Sequence, residues 1–197
     1  MLASGDYRYE ILLNGEVGAV EETQVQPFLI AASRRSTDGV SRHRLEAVLD
    51  TEHSVCRVNV SYSTSLFTRK ASYEAVEDNL HGRISGLSVR NEVAVKLGRF
   101  REVDAAGFLI FRALVLSHVR VRGDDRWTGR VAVIDPTTLG AASVKQTCFR
   151  QNDAGRSWIY EARMGDTEQI ELDQDGHIVR RRDRRGLTAE LIAHAAC

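Results

Sequence analysis

Apolar and polar residues alternate along most of this chain, and the alternation begins almost at once. In YRYEILLNGEVGAVEETQV, Tyr7, Tyr9, Ile11 and Leu13 fall on one face. Asn14-Gly15 follows, a pair that accepts positive φ and suits a two-residue type I′ turn. A hairpin is therefore predicted, with Val17, Ala19 and Val25 on one face of its return strand. QPFLIAASRRS reads as a third strand, closed by the turn Thr37-Asp38-Gly39. Leu45, Ala47 and Leu49 then alternate with charged neighbours, and Cys56, Val58, Val60 and Tyr62 with Arg57, Asn59 and Ser61. Phe67, Ala71, Tyr73 and Ala75 share a side, as do Val93, Val95 and Leu97. Later strands are HVRVR, RWTGRVAVI, SVKQTCFRQ, SWIYEARM, TEQIELD and GHIVRRR, with turns at Gly123-Asp124-Asp125, Asp135-Pro136, Asn152-Asp153-Ala154-Gly155 and Asp175-Gly176. Turn signals at intervals of roughly 8 to 15 residues are those of an antiparallel sandwich or barrel. The end of the chain differs: LTAELIAHAAC has helical spacing at Leu187, Leu191 and Ile192, which predicts a short C-terminal helix.

One stretch breaks the two-residue period. GFLIFRALVL, residues 107 to 116, is apolar on every side and carries Arg112 in its middle. A membrane span needs about 20 apolar residues, so this run is too short to be one. As a strand it would be covered on both faces. As a helix, with Asp104 as N-cap and an end near His118, its apolar side chains would surround the axis. The helix is the preferred expectation. It must be wrapped, and only a curved sheet is available to wrap it. Arg112 would then reach a rim or pair with a buried carboxylate. The predicted fold is all-β and mostly antiparallel, a β-barrel or half-barrel around one apolar central helix, forming a single domain over residues 1–197. An apolar cavity between sheet and helix is part of that expectation.

Composition narrows the choice of partners. Hydrophobic residues at 43% and charged residues at 27% are those of a globular chain. Lys+Arg 27 balances Asp+Glu 27, so the overall charge that nucleic-acid binding asks for is missing and no nucleic-acid partner is expected. The run Arg180-Arg181-Arg182-Asp183-Arg184-Arg185 reads as a solvated strand end and its turn. Only Lys70, Lys96 and Lys145 are lysines, an arginine bias that suits GC-rich bacterial coding. Cys56, Cys148 and Cys197 are far apart, so zinc-knuckle and thioredoxin-like motifs are absent, and no metal or cofactor is expected. The opening MLASGDYRYE has no basic segment followed by an apolar one, which makes the cytoplasm the expected compartment.

The order of elements carries a resemblance. DGVSRHRLEAVLDTEHSVCRVNVSY, a polar DNLHGRISG turn, the central GFLIFRALVL and a late IELDQDGHIV resemble, in that order, the glycolipid-binding proteins of bacteria. Those are similar in turn to the lipoprotein-carrier half-barrels LolA and LolB. The resemblance implies a half-barrel that holds a lipid-like ligand. The carriers are exported or anchored and this chain shows no export signal, so their cargo is not carried over.

Chemistry-bearing clusters are few. Asp50, Glu52 and His53 gather in LDTEHS, where an acid beside a histidine could make a general base but a solvated turn is the plainer reading. In RHRLE, Arg42, Arg44 and Glu46 share a strand face, ordinarily the outer one. Were that face instead to line a barrel, it would make an anion or carboxylate site. His43 lies opposite, with Leu45, and points inward. DQDGH at 173–177 is a tight hairpin rather than a calcium loop, since its neighbours are strands. Phosphate-loop, dinucleotide, metalloprotease and hydrolase signatures are all missing.

The first functional expectation is binding of a long hydrophobic small molecule (fatty acyl, glycolipid, polyene or polyketide), as in bacterial lipid or natural-product metabolism. Phe108, Phe111, Leu114 and Val115 would line the cavity opposite Tyr62 and Tyr73, and Arg112, His43 or His118 would meet the head group. The alternative is a cofactor-independent cyclase or isomerase on a polyketide- or terpenoid-like substrate, with His43, His53 or Tyr73 as acid or base. Homodimerisation through exposed sheet edges is the third.

Overall fold

A computed structural model describes residues 2–86, 89–98, 101–105, 107–151, 156–161 and 167–196. The first half of the chain is one antiparallel meander: β1 (Gly5–Leu13), β2 (Glu16–Gln26), β3 (Leu29–Ser36), β4 (Ser41–Leu49), β5 (Val55–Thr64), β6 (Thr68–Val76), β7 (Asn79–Gly86) and β8 (Val89–Lys96). β9 (Val103–Ala105) and the helix α1 (Leu109–Val121) cross over to a second meander. It comprises β10 (Arg126–Ile134), β11 (Ala141–Arg150), β12 (Ser157–Glu161), β13 (Thr167–Leu172), β14 (Ile178–Asp183) and β15 (Leu187–Ala196). The meanders join where the chain ends meet, β15 pairing antiparallel with β1 so that Tyr9 lies opposite Leu191 and Ile11 opposite Ala189. All fifteen described strands thus belong to one sheet, and only β9 and β10 run parallel.

That sheet curls until its ends overlap. The edge strand β8 lies against β11, and the opposite edge, β9, lies against β5. No ladder joins β8 to β9 among the described residues, so the sheet is a rolled half-barrel and not a closed barrel. The overlap explains a local break in alternation: Val103, Asp104 and Ala105 are all buried, as are the adjacent Val131 and Ala132, because these segments are covered on both faces.

Elsewhere the alternation sorts the two faces as the sequence predicts. Tyr7, Tyr9, Ala32, Leu45, Ala47, Val58, Val60, Ala71 and Tyr73 are buried on the face that packs on the helix. At the first hairpin, Asn14 and Gly15 have φ of 53° and 88°, as the type I′ turn requires. The DNLHGRISG segment is a strand, β7, rather than the expected turn: Leu80 and Gly82 are buried while His81, Arg83 and Ser85 face out. The predicted turn at 152–155 lies outside the described residues, as does Cys197.

The helix forms where the apolar run predicts it, and every residue from Leu109 to Ser117 is buried. Its start is later than expected. Asp104 sits in β9, and the N-cap is Phe108, whose side chain caps nothing. A carboxylate from a distant strand takes over that role: Leu109 donates its N–H to Glu21 Oε1 at 3.0 Å. The other end closes with Gly123 at φ 74°, its N–H donating to the Arg120 carbonyl and that of Asp124 to Val119. This is a Schellman motif, and the glycine is needed for its left-handed turn. The expected C-terminal helix is instead β15. Pairing with β1 along its length, and with β14 at Thr188–Glu190, outweighs a weak helical spacing and buries Ala189 in the core. None of the described helices is long and apolar enough to cross a membrane.

Candidate functional site

The side chains that α1 presents face into the rolled sheet. Phe108, Phe111, Leu114 and Val115 are buried in the core. The concavity of note lies on the other face of the sheet, where a groove of about 1370 Å³ crosses β15 and β1 through β7. Strand register sets its lining as two parallel rows. One runs Ala193, Arg8, Glu22, Ser33, Arg44, Ser61, Lys70, Ser85; the next runs Ala195, Asp6, Gln24, Ala31, Glu46, Asn59, Ser72, Arg83. Small residues in the middle strands leave room for the groove. Alanines and the carbon stems of the long side chains give it apolar surface, with charged heads above.

Ionic chemistry is concentrated around the helix. Arg112, 8% exposed, pairs with Asp104 and with Glu168 at 3.3 Å, and its guanidinium lies 4.5 Å over the Tyr160 ring. Arg181 pairs with Glu168 at 2.6 Å, and Tyr160 donates its hydroxyl to Gln146. Two cations and two carboxylates therefore balance. Burial works against the ionised form of Glu168, but Arg112 and Arg181 outweigh it and hold the carboxyl below its usual range. Asp104, more deeply enclosed, is pushed up by burial despite Arg112. Of the two expectations for Arg112, pairing with a buried carboxylate is the one observed.

Three of the other singled-out side chains meet in one stack. His43 lies against Tyr62 at 4.7 Å between ring centres and edge-on to Phe108 at 6.4 Å, with Nε2 2.8 Å from the Pro136 carbonyl. Burial lowers its pKa, so the ring is neutral near pH 7 and donates to that carbonyl. Tyr73 is apart, its buried hydroxyl donating to the Leu139 carbonyl. His53 sits at φ 62° in the β4–β5 turn, where Asp50 accepts the N–H groups of Glu52 and Ser54. Hydrogen bonding thus engages His43 and Tyr73 within the fold, and the acid beside His53 is engaged by its own turn.

His118 belongs to a second buried cluster. Its Nδ1 is 3.9 Å from Glu102 Oε1, which is 3.9 Å from Arg122 Nη1. Neither Glu102 oxygen has a hydrogen-bond partner of good geometry among the described residues. Burial raises Glu102 to about 7, against the opposing pull of Arg122, and lowers His118, helped by the charge of Arg122. A carboxyl whose folded pKa is raised favours folding in its protonated form. Stability from Glu102 is therefore greatest below its ordinary pKa of 4.5 and is lost as pH rises toward 7. Glu102→Gln is expected to be neutral in urea titrations at pH 4.5 and stabilising by about 1–3 kcal/mol at pH 8. Equal effects at both pH values would contradict this account.

No family model matches the chain, and no curated protein matches it. Solved structures do. A DUF1089 family protein from Pseudomonas aeruginosa superposes with TM-score 0.62 at 14% identity, covering 82% of this chain and 88% of that one. A beta-barrel-like protein of domain of unknown function DUF1849 from Brucella abortus gives TM-score 0.62 at 10% identity, covering 100% of this chain and 98% of the other. The likeness is one of fold. It agrees with the barrel-like architecture that the alternation predicts.

Sequence reasoning passed over Glu21, Glu102 and Glu168, since a buried carboxylate on a strand, or just before one as Glu102 is, looks like any outward-facing charge. It did single out the Arg42, Arg44 and Glu46 face, and these residues line the groove.

Proposed function

We propose that the protein is a binding module for an elongated amphipathic molecule, a fatty acyl derivative or glycolipid, held in the groove on the polar face of the sheet. The observation that carries this reading is the groove's size. Its volume of about 1370 Å³ exceeds the range of roughly 300–1,000 Å³ typical of pockets for drug-sized ligands, so a longer molecule suits it better. Ala31, Ala193 and Ala195 with the side-chain stems would receive the apolar part, and Asn59, Ser61 and Ser72 the polar part. The resemblance in element order to glycolipid-binding proteins points the same way. Binding is favoured over the cyclase alternative because His43 and Tyr73 are already hydrogen-bonded to carbonyls of the chain.

The test is titration of the purified protein with monoacyl lipids, compared with variants that fill the groove without touching the core. Ala31→Trp and Ser61→Trp are expected to lower affinity at least about tenfold with thermal stability unchanged, the cost of displacing about 1.4 kcal/mol of contact. Undiminished binding to both variants would place the ligand elsewhere and overturn the reading.

A further inference from the structure

The groove is not uniform along its length, and one end has the chemistry of an anion site. At β4, β5 and β6, register sets Arg44, Ser61 and Lys70 side by side on the groove face, flanked by Ser33 on β3 and Ser85 on β7. With strands about 4.8 Å apart, the Cα atoms of Arg44 and Lys70 stand about 10 Å apart, a span that their long arms can close over Ser61. Arg42 lies two residues along β4 on the same face, directly opposite Arg35 of β3. Among the described residues none of Arg35, Arg42, Arg44 and Lys70 has a carboxylate within 4 Å, whereas Arg34 on β3 and Arg83 on β7 each have one. Glu46 is the acid nearest in register, opposite Asn59 in the neighbouring row; Glu22 lies beyond Ser33 and faces Arg8.

Like charges set directly across two strands destabilise a sheet by their repulsion. The Arg35–Arg42 pair carries that cost, and a bound anion would relieve it. Arg44 and Lys70 add two more donors of positive charge, and among the described residues the hydroxyls of Ser33 and Ser61 hold no hydrogen bond of their own. Guanidinium groups and hydroxyls around a small space match a group with several acceptor oxygens and more than one negative charge. At the opposite end, on β15, the groove offers Ala193 and Ala195. A polar end and an apolar end in one channel fit a molecule with the same division.

We infer that Arg42, Arg44 and Lys70, with Ser33 and Ser61, form the head-group site for a phosphate monoester carried on a lipid chain. The inference rests on the groove reading above and names the ligand class for it. Three probes test it: a palmitoyl lysophosphatidic acid, the monoacylglycerol of the same chain length, and inorganic phosphate. The phosphate-bearing lipid is expected to bind the native protein at least about tenfold more tightly than the neutral one at low salt, with the advantage shrinking as salt rises. In the exposed-face double variant Arg44→Gln/Lys70→Gln that advantage should fall to near one, with monoacylglycerol affinity unchanged. Equal affinity of the native protein for both lipids would overturn the head-group site and leave the groove reading standing. Loss of both lipids equally in the double variant would likewise overturn it. Inorganic phosphate binding as tightly as the lipid would show that the chain contributes nothing and overturn the assignment to a lipid. If neither lipid binds, the groove reading falls, and this site with it.

Discussion

Arg112→Ala is expected to destabilise the protein by about 3–5 kcal/mol, enough to remove much of the 5–15 kcal/mol typical of a folded domain. The reason is what the substitution leaves behind. Asp104 and Glu168 are both buried, and Glu168 keeps Arg181 while Asp104 loses the guanidinium that faces it. Removing one member of a buried ion cluster costs more than removing the whole, because the orphaned charge stays out of water. Urea denaturation at pH 7 should show the midpoint falling sharply. Adding Asp104→Asn to Arg112→Ala should recover part of the loss, about 1–2 kcal/mol, since it removes the orphan. Taken alone in the native background, Asp104→Asn should cost less than Glu168→Gln. Asp104 is pushed up by burial, so its ionised form is already disfavoured, whereas Glu168 is held ionised by Arg112 and Arg181. The penalty of Arg112→Ala should also shrink as pH falls, because Asp104 then folds in its neutral form. A cost below about 1 kcal/mol, or the reverse order for the two acid variants, would contradict this account.

The same cluster marks where sequence patterns stop being informative. The apolar run from Phe108 to Leu116 is legible as a wrapped helix because no other element suits residues apolar on all sides in a chain of alternating strands. That a cation in such a helix needs a carboxylate is also a sequence-level deduction. Which carboxylate is not: Glu168 reaches Arg112 from a strand 56 residues further along the chain. Local rules also misplace the helix start, since Asp104 looks like an N-cap while the group that caps is 88 residues away from Leu109. The C-terminal segment fails for the same reason. Leu187, Leu191 and Ile192 have helical spacing, yet the partner that decides their conformation is β1, at the other end of the chain. Alternation over most of β1 and β4 through β6 needed no such distant information, and it fails there only at Leu13, which is exposed, and at Cys56, where a shift in register buries Val55 instead.

The groove shows a subtler limit. Alternation tells which residues leave the core, but not whether the outward face is convex or concave. Arg42, Arg44 and Glu46 read as an ordinary solvated face, and become a lining only because the sheet curves under them. Curvature is a property of the whole roll, set by the overlap of β8 on β11 and β9 on β5. It therefore belongs to long-range packing and leaves no signature in the spacing of RHRLE.

Glu21→Ala should be the second severe substitution, costing about 3–5 kcal/mol in the same urea assay. Glu21 is fully buried and joins three elements. Its Oε2 accepts from Arg34 Nη2 at 2.5 Å and Nε at 3.1 Å, and its Oε1 accepts the first free N–H of α1. Arg34 in turn donates to the Gly107 carbonyl at 2.6 Å and lies 4.8 Å over the Phe108 ring, so the pair clamps the turn that leads into the helix. Truncation removes the carboxylate from a largely buried guanidinium and the acceptor from a helix end that has neither a side-chain cap nor an acid in its first turn. Glu21→Gln separates these effects. It retains an oxygen for the Leu109 N–H but not the charge that Arg34 faces, and should fall between the native protein and Glu21→Ala. A double-mutant cycle with Arg34→Ala should give a coupling of about 2–3 kcal/mol, because each single variant leaves the other side chain charged in a space built for both. Additive losses would mean that the ion pair and the cap act separately, and that the helix entry does not depend on the clamp.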